Sequence, residues 1–598
     1  MRPPLDRALR VGNCSGFLGD RASAAREMLE SAEIDVLAGD WLAELTMTIL
    51  QRQQAKDPLK GYASTFLRQL EEVLGTCIDR GIRIVSNAGG LNPAGCADAI
   101  SKLANRLGLE VTVGYVGGDD ILDRLPELSS ERVLLDARDG QPLDLDLDAE
   151  RQLVANAYLG GWGIASCLSR GADVVVTGRV TDAAVVVGPA AWAFNWAETD
   201  WDRLAGAVAA GHVIECSGQA TGGNFSFFEE VPGMARIGFP IAEVSSDGSS
   251  VITKAPGTGG TVTRDTVTAQ LLYEVQSQRY LNPDVITRLD SIRLEDDGAD
   301  RVRIVGVVGE PPTTNLKVSL ALSGGYRNAM TMALTGLDVE AKAALAEKAI
   351  WEQVPGGKEA FDDVEVEHIG RPVTDPHSFG EAYSLLRIAV SSTDEKLVGR
   401  GFSSAVIATG LSSYPGLFTT TPPTAAAHYA TYRPALVPAS LVSATATVGG
   451  ESLQIVNSGA KHGKTPSPDR TIGGSTPSLY ESGEQTTSVP LGRLVGARSG
   501  DKGGDANLGL WARSDAVYSW LGGAFTTELL KELIPGAREL SVERYQLPEL
   551  RAVNFVLRGF LGDGVSSCLR FDGQAKGLGE FLRSRHVAVP MSLLEEAS

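Results

Sequence analysis

Short apolar runs alternate with helical patterns through the first part of the chain. The apolar runs predict strands ending in polar turns at RVGNCSGF, IDVLAGDW, IRIVSNAGG, LEVTVGYVGGDD, ADVVVTGRVTDA and HVIECSGQATGG. Amphipathic stretches such as YASTFLRQLEEVLGTCIDRG lie between them and predict helices. Strands that are apolar throughout and alternate with helices are typical of parallel sheets covered on both faces. We therefore expect an α/β domain with a mostly parallel, Rossmann-like sheet over residues 8–234.

The pattern changes near residue 235, where apolar and polar positions begin to alternate. RIGFPIAEVSS, VRIVGVVGE, NLKVSLALSG, SLLRIAVSSTD and LVSATATVGG predict antiparallel strands in an α+β domain over residues 235–448. Residues 449–487 are rich in Gly, Ser, Thr and Pro, which predicts a flexible linker. Three β runs and two helical patterns in residues 488–598 predict a small C-terminal α/β sandwich.

Composition excludes several classes of protein. A chain of 598 residues exceeds one hydrophobic core, and its 43% hydrophobic and 21% charged fractions are ordinary for a globular protein. The formal charge of -20 argues against a nucleic-acid partner. Six cysteines without CxxC spacing indicate a reducing compartment. The longest apolar stretch, AAVVVGPAAWAFNWA, is broken by Gly188 and Pro189, so we expect no membrane segment and a cytoplasmic location.

The turn SNAGGLNP follows a predicted strand and precedes a predicted helix. Asn87, Gly89 and Gly90 would let backbone amides approach an anion at the helix N-terminus, which predicts a phosphate or carboxylate site. Gly16 in GNCSGFLGD does the same at the first strand, although the full GxGxxG fingerprint of dinucleotide-binding proteins is missing. The alternative is that these glycines serve turn geometry alone.

Charged residues follow several of the predicted strands. In TGRVTDA, Arg179 could clamp a carboxylate or phosphate, with Asp182 holding it or acting on a substrate proton; a purely structural Arg–Asp pair is the alternative. Further acids at strand ends are Asp40, Asp119, Asp120 and Glu215. If they converge, they form an acid–base set or bind a divalent cation through oxygen ligands. Otherwise each is a helix N-cap or a solvated turn residue.

The stretch RSGDKGGDANLG near the C-terminus is interpreted as a polar glycine loop. Its charged and amide side chains could contact a ligand or another domain: they are Arg498, Asp501, Lys502, Asp505 and Asn507. Cys216 in IECSG is interpreted as a buried cysteine rather than a nucleophile. Six histidines far apart, with no HExxH, argue against a zinc site.

Several of these stretches together are distinctive. GNCSGFLGDR, VSNAGGLNP, ANAYLGGWGIASCLSRGADVVVTGRVTDAAVVVGP, ECSGQATGGNF, APGTGGTVTRDTVTAQLLYEV and ARSGDKGGDANLG resemble the acyclic terpene utilisation protein A (AtuA) family. The resemblance covers nearly the whole chain, including the family's small C-terminal domain. It implies a role in the catabolism of isoprenoid and branched acids through coenzyme A thioesters, without assigning catalytic residues.

The residues and the resemblance together suggest a cytoplasmic catabolic enzyme that acts on a branched or isoprenoid acyl-CoA, or its carboxylic acid, by hydratase or lyase chemistry. Asp182, Asp40 and Asp120 are the candidate catalytic residues, and the candidate substrate-binding residues are Gly16, Asn87, Gly89, Gly90, Arg179 and Glu215. We expect no required cofactor, with a divalent cation left open. Expected partners are a small anionic substrate, a second copy in a homo-oligomer and pathway acyl-CoA enzymes. The alternatives are a non-catalytic acyl-CoA-binding or scaffold protein and a divalent-metal hydrolase.

Overall fold

The computed structural model describes residues 4–146, 151–465 and 485–596. The strands are β1 Leu9–Asn13, β2 Val36–Gly39, β3 Arg83–Ser86, β4 Val113–Gly117, β5 Leu135–Asp136, β6 Gln152–Ala157, β7 Val174–Thr177, β8 Pro240–Val244, β9 Ser250–Lys254, β10 Arg279–Leu281, β11 Ile286–Arg288, β12 Arg293–Asp296, β13 Val302–Val305, β14 Val308–Glu310, β15 Asn315–Thr335, β16 Asp363–Ile369, β17 Tyr383–Ser392, β18 Phe418–Thr419, β19 Ala427–Pro438, β20 Ser443–Val448, β21 Glu451–Val456, β22 Thr486–Pro490, β23 Val495–Lys502, β24 Asp505–Ala512, β25 Val542–Leu547, β26 Ala552–Leu557 and β27 His586–Pro590.

Helices lie between these strands along most of the chain. They are α1 Ala24–Ser31, α2 Glu44–Lys56, α3 Ser64–Arg80, α4 Pro93–Leu107, α5 Leu125–Ser130, α6 Trp162–Ser169, α7 Ala184–Phe194, α8 Trp201–Ile214, α9 Arg264–Leu271, α10 Val339–Gln353, α11 Phe402–Ala408, α12 Ser458–His462, α13 Asp515–Ala524, α14 Thr527–Leu533, α15 Leu578–Ser584 and α16 Met591–Glu596. No helix in the three described ranges is long and apolar enough to cross a bilayer.

The largest sheet is mixed rather than mostly parallel. Its order is β12-β13-β9-β8-β1-β2-β3-β7-β4-β20-β21, and β1, β2, β3, β7 and β4 are mutually parallel. Antiparallel strands from beyond residue 235 extend both edges. The prediction of a mostly parallel sheet is therefore corrected, and the domain boundary predicted at residues 234/235 falls within one hydrogen-bonded sheet. The alternating pattern of β8 and β20 predicts antiparallel pairing in a second sheet, but a sequence pattern does not show which strands pair.

The parallel strands are buried on both faces, as their apolar runs predicted. In β2, Val36 and Ala38 belong to the core formed with α6, α7 and α8, while Leu37 belongs to the core formed with α1, α3 and α4. Because the five strands are parallel, their carboxyl ends meet at one edge of the sheet. The residues that directly follow each strand therefore lie along that edge, and the site described below is located there.

The predicted strand at HVIECSGQATGG is wrong. Residues Trp201–Ile214 form α8, and every side chain from Leu204 to Ile214 is buried. A short apolar run has no polar face to reveal its period, so a buried helix and a buried strand look alike in the sequence. Glu215 therefore follows a helix, not a strand.

The second large sheet is antiparallel, in agreement with the alternating pattern of the middle region. β15 is its central strand, 21 residues long, with β17 and β19 as neighbours and a register shift between Ser323 and Gly325. β6 from the N-terminal region also pairs with β15. This pairing joins the second sheet to the first part of the chain and brings the start of β15 close to the carboxyl edge of the first sheet.

The C-terminal region forms a four-stranded antiparallel sheet in the order β23-β24-β26-β25. Side chains of β24 alternate between two cores. Leu508 and Leu510 pack with α13 and α15 in the core of this region, whereas Trp511 packs in the core of the main body. The sheet is thus covered by its own helices on one face and docked on the main body by the other.

Two expectations about this region are corrected. RSGDKGGDANLG is a β hairpin, because β23 and β24 pair from Val495 with Ala512 to Lys502 with Asp505. The linker predicted over residues 449–487 is wrong where β21 extends the large sheet and α12 follows it. The polar composition of β21 reflects its position as an exposed edge strand. Residues 466–484 of the predicted linker lie outside the described residues.

Candidate active site

Asp40 directly follows β2 and is buried at the carboxyl edge of the sheet. Its Oδ1 accepts a hydrogen bond from the side-chain amide of Asn87 and one of 3.1 Å from the backbone N–H of Leu42. Burial raises the pKa of Asp40 well above its ordinary value, and the nearby carboxylate of Asp182 raises it further. Asp40 is therefore a carboxyl group that is harder to ionise than an ordinary aspartate.

The SNAGG turn positions Asp40 through the side chain of Asn87. The side-chain oxygen of Asn87 accepts from the N–H of Trp41 at 2.8 Å, so both ends of the Asn87 amide are used inside the fold. Gly89 leaves no room for a side chain, since a Cβ would lie 2.5 Å from the carbonyl oxygen of Thr177. Gly90 has a φ of +54° and donates its N–H to the Asn87 carbonyl at 3.2 Å. The anion-binding role of this turn stays a prediction, and the contacts of Asn87 show that the turn also positions Asp40.

Gly16 likewise serves close packing. A Cβ at this position would lie 2.9 Å from the Cα of Cys216, and the Gly16 N–H donates to the Asp20 carboxylate at 2.8 Å. The loop after β1 therefore lies directly against the backbone at the end of α8. Gly16 lets these two segments approach, and its predicted binding role stays a prediction.

Arg179 lies just beyond β7 with its guanidinium buried. Its Nη1 donates to Asp182 Oδ1 at 2.6 Å and to the Val180 carbonyl at 3.1 Å, and the guanidinium stacks 4.3 Å from the ring centroid of Tyr158. Burial lowers the pKa of Arg179, but Asp182 and other neighbouring acidic groups outweigh it, so the cation is firmly retained. Among the described residues, the buried Nε of Arg179 has no hydrogen-bond partner.

Asp119, not Asp120, is the acid that faces Arg179. Asp119 Oδ2 accepts from the Arg179 backbone N–H and from the Asn156 side-chain amide, each at 2.8 Å. Burial raises the pKa of Asp119 to about 6. Asp120 is exposed and accepts the backbone N–H of Leu122 at 2.9 Å. The side chain of Asp120 therefore lies in a surface turn, because adjacent residues in an extended segment point in opposite directions, and its catalytic role stays a prediction.

His212 and Glu215 lie one helical turn apart at the end of α8. His212 Nδ1 and Glu215 Oε1 are 3.2 Å apart, and both side chains are buried. Burial and the positive charge of Lys502 lower the pKa of His212 to about 4. Burial and the neighbouring acids Asp182 and Glu274 raise the pKa of Glu215 well above its ordinary value. The imidazole of His212 is therefore neutral near pH 7, and Glu215 is harder to ionise than an ordinary glutamate. Among the described residues His212 Nε2 and Glu215 Oε2 have no partner.

A second set of groups comes from α2, β15 and β19. Tyr158 donates its hydroxyl to Glu44 Oε1 at 2.8 Å, and Lys317 Nζ lies 3.4 Å from the same oxygen. Lys317 also lies over the rings of Tyr158 and Tyr432, 4.7 and 5.8 Å from their centroids. Burial opposes ionisation of Glu44, but the charges of Lys317 and Arg179 hold its pKa well below the ordinary value.

The C-terminal hairpin completes the site. Within the described residues, four cations here each face one carboxylate: Arg179 with Asp182 at 2.6 Å, and Lys317 with Glu44, Lys502 with Glu274 and Lys576 with Asp501 at 3.4 Å each. The ionisable residues of this region are called the central cluster, and they are Asp40, Glu44, Arg179, Asp182, His212, Glu215, Glu274, Lys317 and Lys502. They interact electrostatically with one another across three parts of the fold.

A small recess with a cavity volume of about 20 Å³, which is room for about one water molecule, lies beside this region. Its lining includes Glu44, Thr48, Tyr432, Asp501 and Gly503, so it runs between α2, the second sheet and the C-terminal hairpin. Among the described residues, no three His, Cys, Asp or Glu side chains are grouped so that they could hold a metal ion. The available chemistry is that of carboxyl groups, an imidazole, cations and phenols.

The structure brings together four of the predicted site residues: Asp40, Arg179, Asp182 and Glu215. Sequence reasoning did not single out Glu44, His212, Glu274 or Lys317. Lys317 carries the clearest signal in the sequence, because it is the one charged residue in the alternating strand pattern NLKVSLALSG. His212 would have followed from assigning α8 as a helix, since it lies three residues before Glu215.

Comparison with family models agrees with this architecture. The model of the acyclic terpene utilisation family protein AtuA matches residues 9–448, and the model of the AtuA ferredoxin-like domain matches residues 489–588. The chain belongs to the AtuA family. Comparisons with curated proteins and with solved structures found no match. Membership in the AtuA family suggests involvement in acyclic terpene utilisation, and the central cluster takes residues from both matched segments.

Proposed function

We propose that this AtuA-family protein is an enzyme that acts on a branched or isoprenoid acyl-CoA, or on the corresponding carboxylic acid, by acid–base chemistry of the hydratase or lyase type. The substrate binds in the central cluster, between the carboxyl edge of the large sheet and the C-terminal hairpin. The cytoplasmic location, the homo-oligomer and the association with acyl-CoA enzymes stay predictions.

Unsatisfied buried polar atoms support this proposal most directly. Arg179 Nε, His212 Nε2 and Glu215 Oε2 are buried and have no partner among the described residues. Leaving such an atom unpaired costs about 1–3 kcal/mol. Three of them in one cluster, beside two carboxyl groups with raised pKa, make an arrangement that stability alone does not favour.

The two kinds of carboxyl group have different roles in the proposal. Asp40 and Glu215, whose pKa values are raised by burial, are suited to donate a proton. Asp182, whose carboxylate is paired with Arg179, is suited to accept one. Arg179 and Lys317 place positive charge where a carboxylate, or the enolate formed next to a thioester, gains negative charge. Addition or removal of water beside the thioester uses this combination of donor, acceptor and cation.

Turnover of a substrate panel tests the proposal. Purified protein is incubated with branched acyl-CoA esters and with the matching free acids, and products are followed by mass spectrometry. We expect Asp182→Asn and Arg179→Ala to lower turnover by about a hundredfold or more, as is typical for loss of an acid–base group or a charge-stabilising donor.

A matched ion pair provides the control. Arg83 and Asp173 pair at the opposite end of β3 and β7, away from the central cluster. Arg83→Ala and Asp173→Asn should retain turnover. Tight binding without turnover, unchanged by Asp182→Asn, would instead favour a binding or scaffold protein and would refute the enzymatic proposal.

A further inference from the structure

Lys502 is the last residue of β23, at the tip of the C-terminal hairpin. The tip is held on both sides. Gly503 has a φ of +66°, and a Cβ on it would lie 3.0 Å from the ring of Tyr432 in the second sheet. A Cβ on Gly504 would lie 2.1 Å from the Gly562 carbonyl oxygen. The hairpin therefore presents Lys502 to the main body in one fixed position.

Glu274, the partner of Lys502, is itself held by the C-terminal domain. Its backbone adopts the left-handed conformation, with a φ of 59°, which is unusual for a residue other than glycine. Its N–H donates to Asn507 Oδ1 of β24 at 2.8 Å. Docking of the C-terminal domain thus supplies Lys502 and also maintains the strained backbone that points Glu274 at it.

The contacts of Lys502 differ from those of a lysine used only for structure. Lys254, which is buried in the main body, donates to the Thr258 carbonyl at 2.8 Å and pairs with Asp300 at 3.3 Å. The ammonium of Lys502 makes one hydrogen bond to the described residues, to Glu274 Oε2 at 3.4 Å, although an ammonium has three N–H donors. Lys502 therefore retains donors within the central cluster.

The surroundings of Lys502 indicate what those donors face. Its charge acts on His212 and Glu215 at the end of α8 and on Glu44 at the start of α2. Its two chain neighbours, Asp501 and Gly503, line the recess together with Glu44, and Lys502 itself faces Glu274 of the main body at 3.4 Å. An anionic group bound in the central cluster would therefore meet the free donors of Lys502 beside Glu274.

We propose that Lys502 binds the anionic oxygen of the substrate, a carboxylate or the oxygen of a thioester-derived enolate, so that the AtuA ferredoxin-like domain supplies a substrate-binding residue of the site. This inference rests on the proposed function and assigns the C-terminal domain a part in binding rather than only in assembly. The site is complete only when the domain is docked.

Calorimetric titration of the full-length protein tests this assignment with two probes, 3-methylbutanoate and its neutral isostere 3-methylbutanamide. The variants are Lys502→Met, which removes the charge at similar length, Lys502→Arg, which keeps it, and Lys531→Met, a control on α14 of the same domain. We expect Lys502→Met to weaken binding of the carboxylate by about tenfold or more, the loss typical of a hydrogen bond to a charged group. Lys502→Arg should recover most of the affinity, and Lys531→Met should have no effect.

The neutral probe separates binding from folding. If Lys502 acts on the charge of the ligand, Lys502→Met leaves the weak binding of 3-methylbutanamide unchanged. Equal losses for both probes would mean that the substitution damages the site and would overturn the inference, as would unchanged carboxylate binding or a wild-type protein that binds neither probe. Lys502-dependent carboxylate binding without any turnover of acyl-CoA esters would retain this inference and refute the proposed enzymatic function.

Discussion

The His212–Glu215 pair leads to a prediction that can be measured without knowing the substrate. The separation of 3.2 Å is short enough for an ion pair, but burial moves the two groups the other way, lowering the pKa of His212 to about 4 and raising that of Glu215. We expect His212 to stay neutral as the pH is lowered from 8 to 5. The experiment lowers the pH of the wild-type protein and of the variant His212→Gln, and compares the two.

The magnitude follows from the change in pKa on folding. An ordinary histidine has a pKa of 6.5, and His212 in the folded protein has one of about 4. A difference of about 2.5 corresponds to about 3 kcal/mol. Above pH 6.5 neither state binds the proton. As the pH falls from 6.5 to 4, the unfolded chain takes up the proton and the folded protein does not. The free energy of unfolding therefore falls by about 3 kcal/mol over this range through His212 alone, and His212→Gln lacks that component.

Long-range proton–nitrogen NMR of histidine-labelled protein provides the assay. The chain has six histidines, and the signals missing in His212→Gln assign this ring. We expect one ring nitrogen to remain unprotonated down to pH 5, while spectra in denaturant supply the reference for the unfolded chain. A midpoint near 6.5, or two protonated ring nitrogens at pH 7, would show that the pair is ionic and would refute the reasoning.

Three further predictions concern stability. Gly89→Ala should lower the free energy of unfolding by about 1–3 kcal/mol, and with it the unfolding midpoint, because the new Cβ would meet the carbonyl of Thr177. The control is Gly75→Ala on α3, whose Cβ would meet only a side-chain atom 3.9 Å away. This control should be neutral or stabilising. Asp119→Asn should gain about 2 kcal/mol relative to wild type as the pH rises from 4 to 6, because burial raises the pKa of the native carboxyl to about 6; urea titrations at both pH values measure this. Trp511→Ala should cost about 3–5 kcal/mol and loosen the docked C-terminal domain, which faster proteolysis of that domain would reveal.

Most individual strands of the first sheet could be predicted from local pattern alone. β2, β3, β4 and β7 are apolar runs bounded by turns, and such runs bury both faces whatever lies beyond them. Their common parallel direction also predicted that polar residues would gather at one edge, as Asp40 and Arg179 do. α8 was missed because an apolar helix buried on all sides has no polar face. β21 was missed because an exposed edge strand can have the composition of a linker.

The site depended on packing that no local pattern encodes. Asp40, Lys317 and Lys502 lie on three distant segments, and they come together only because β6 pairs with β15 and the C-terminal sheet docks on the main body. Side-chain periodicity states which residues share a face of one element, but not which element covers that face. Ionisation depends on the same packing, since burial raises the pKa of Asp40 and of Glu215 while close cations lower that of Glu44. The sequence therefore named Asp40, Arg179, Asp182 and Glu215 as candidates, and the three-dimensional arrangement decided that they lie together and which partners they have.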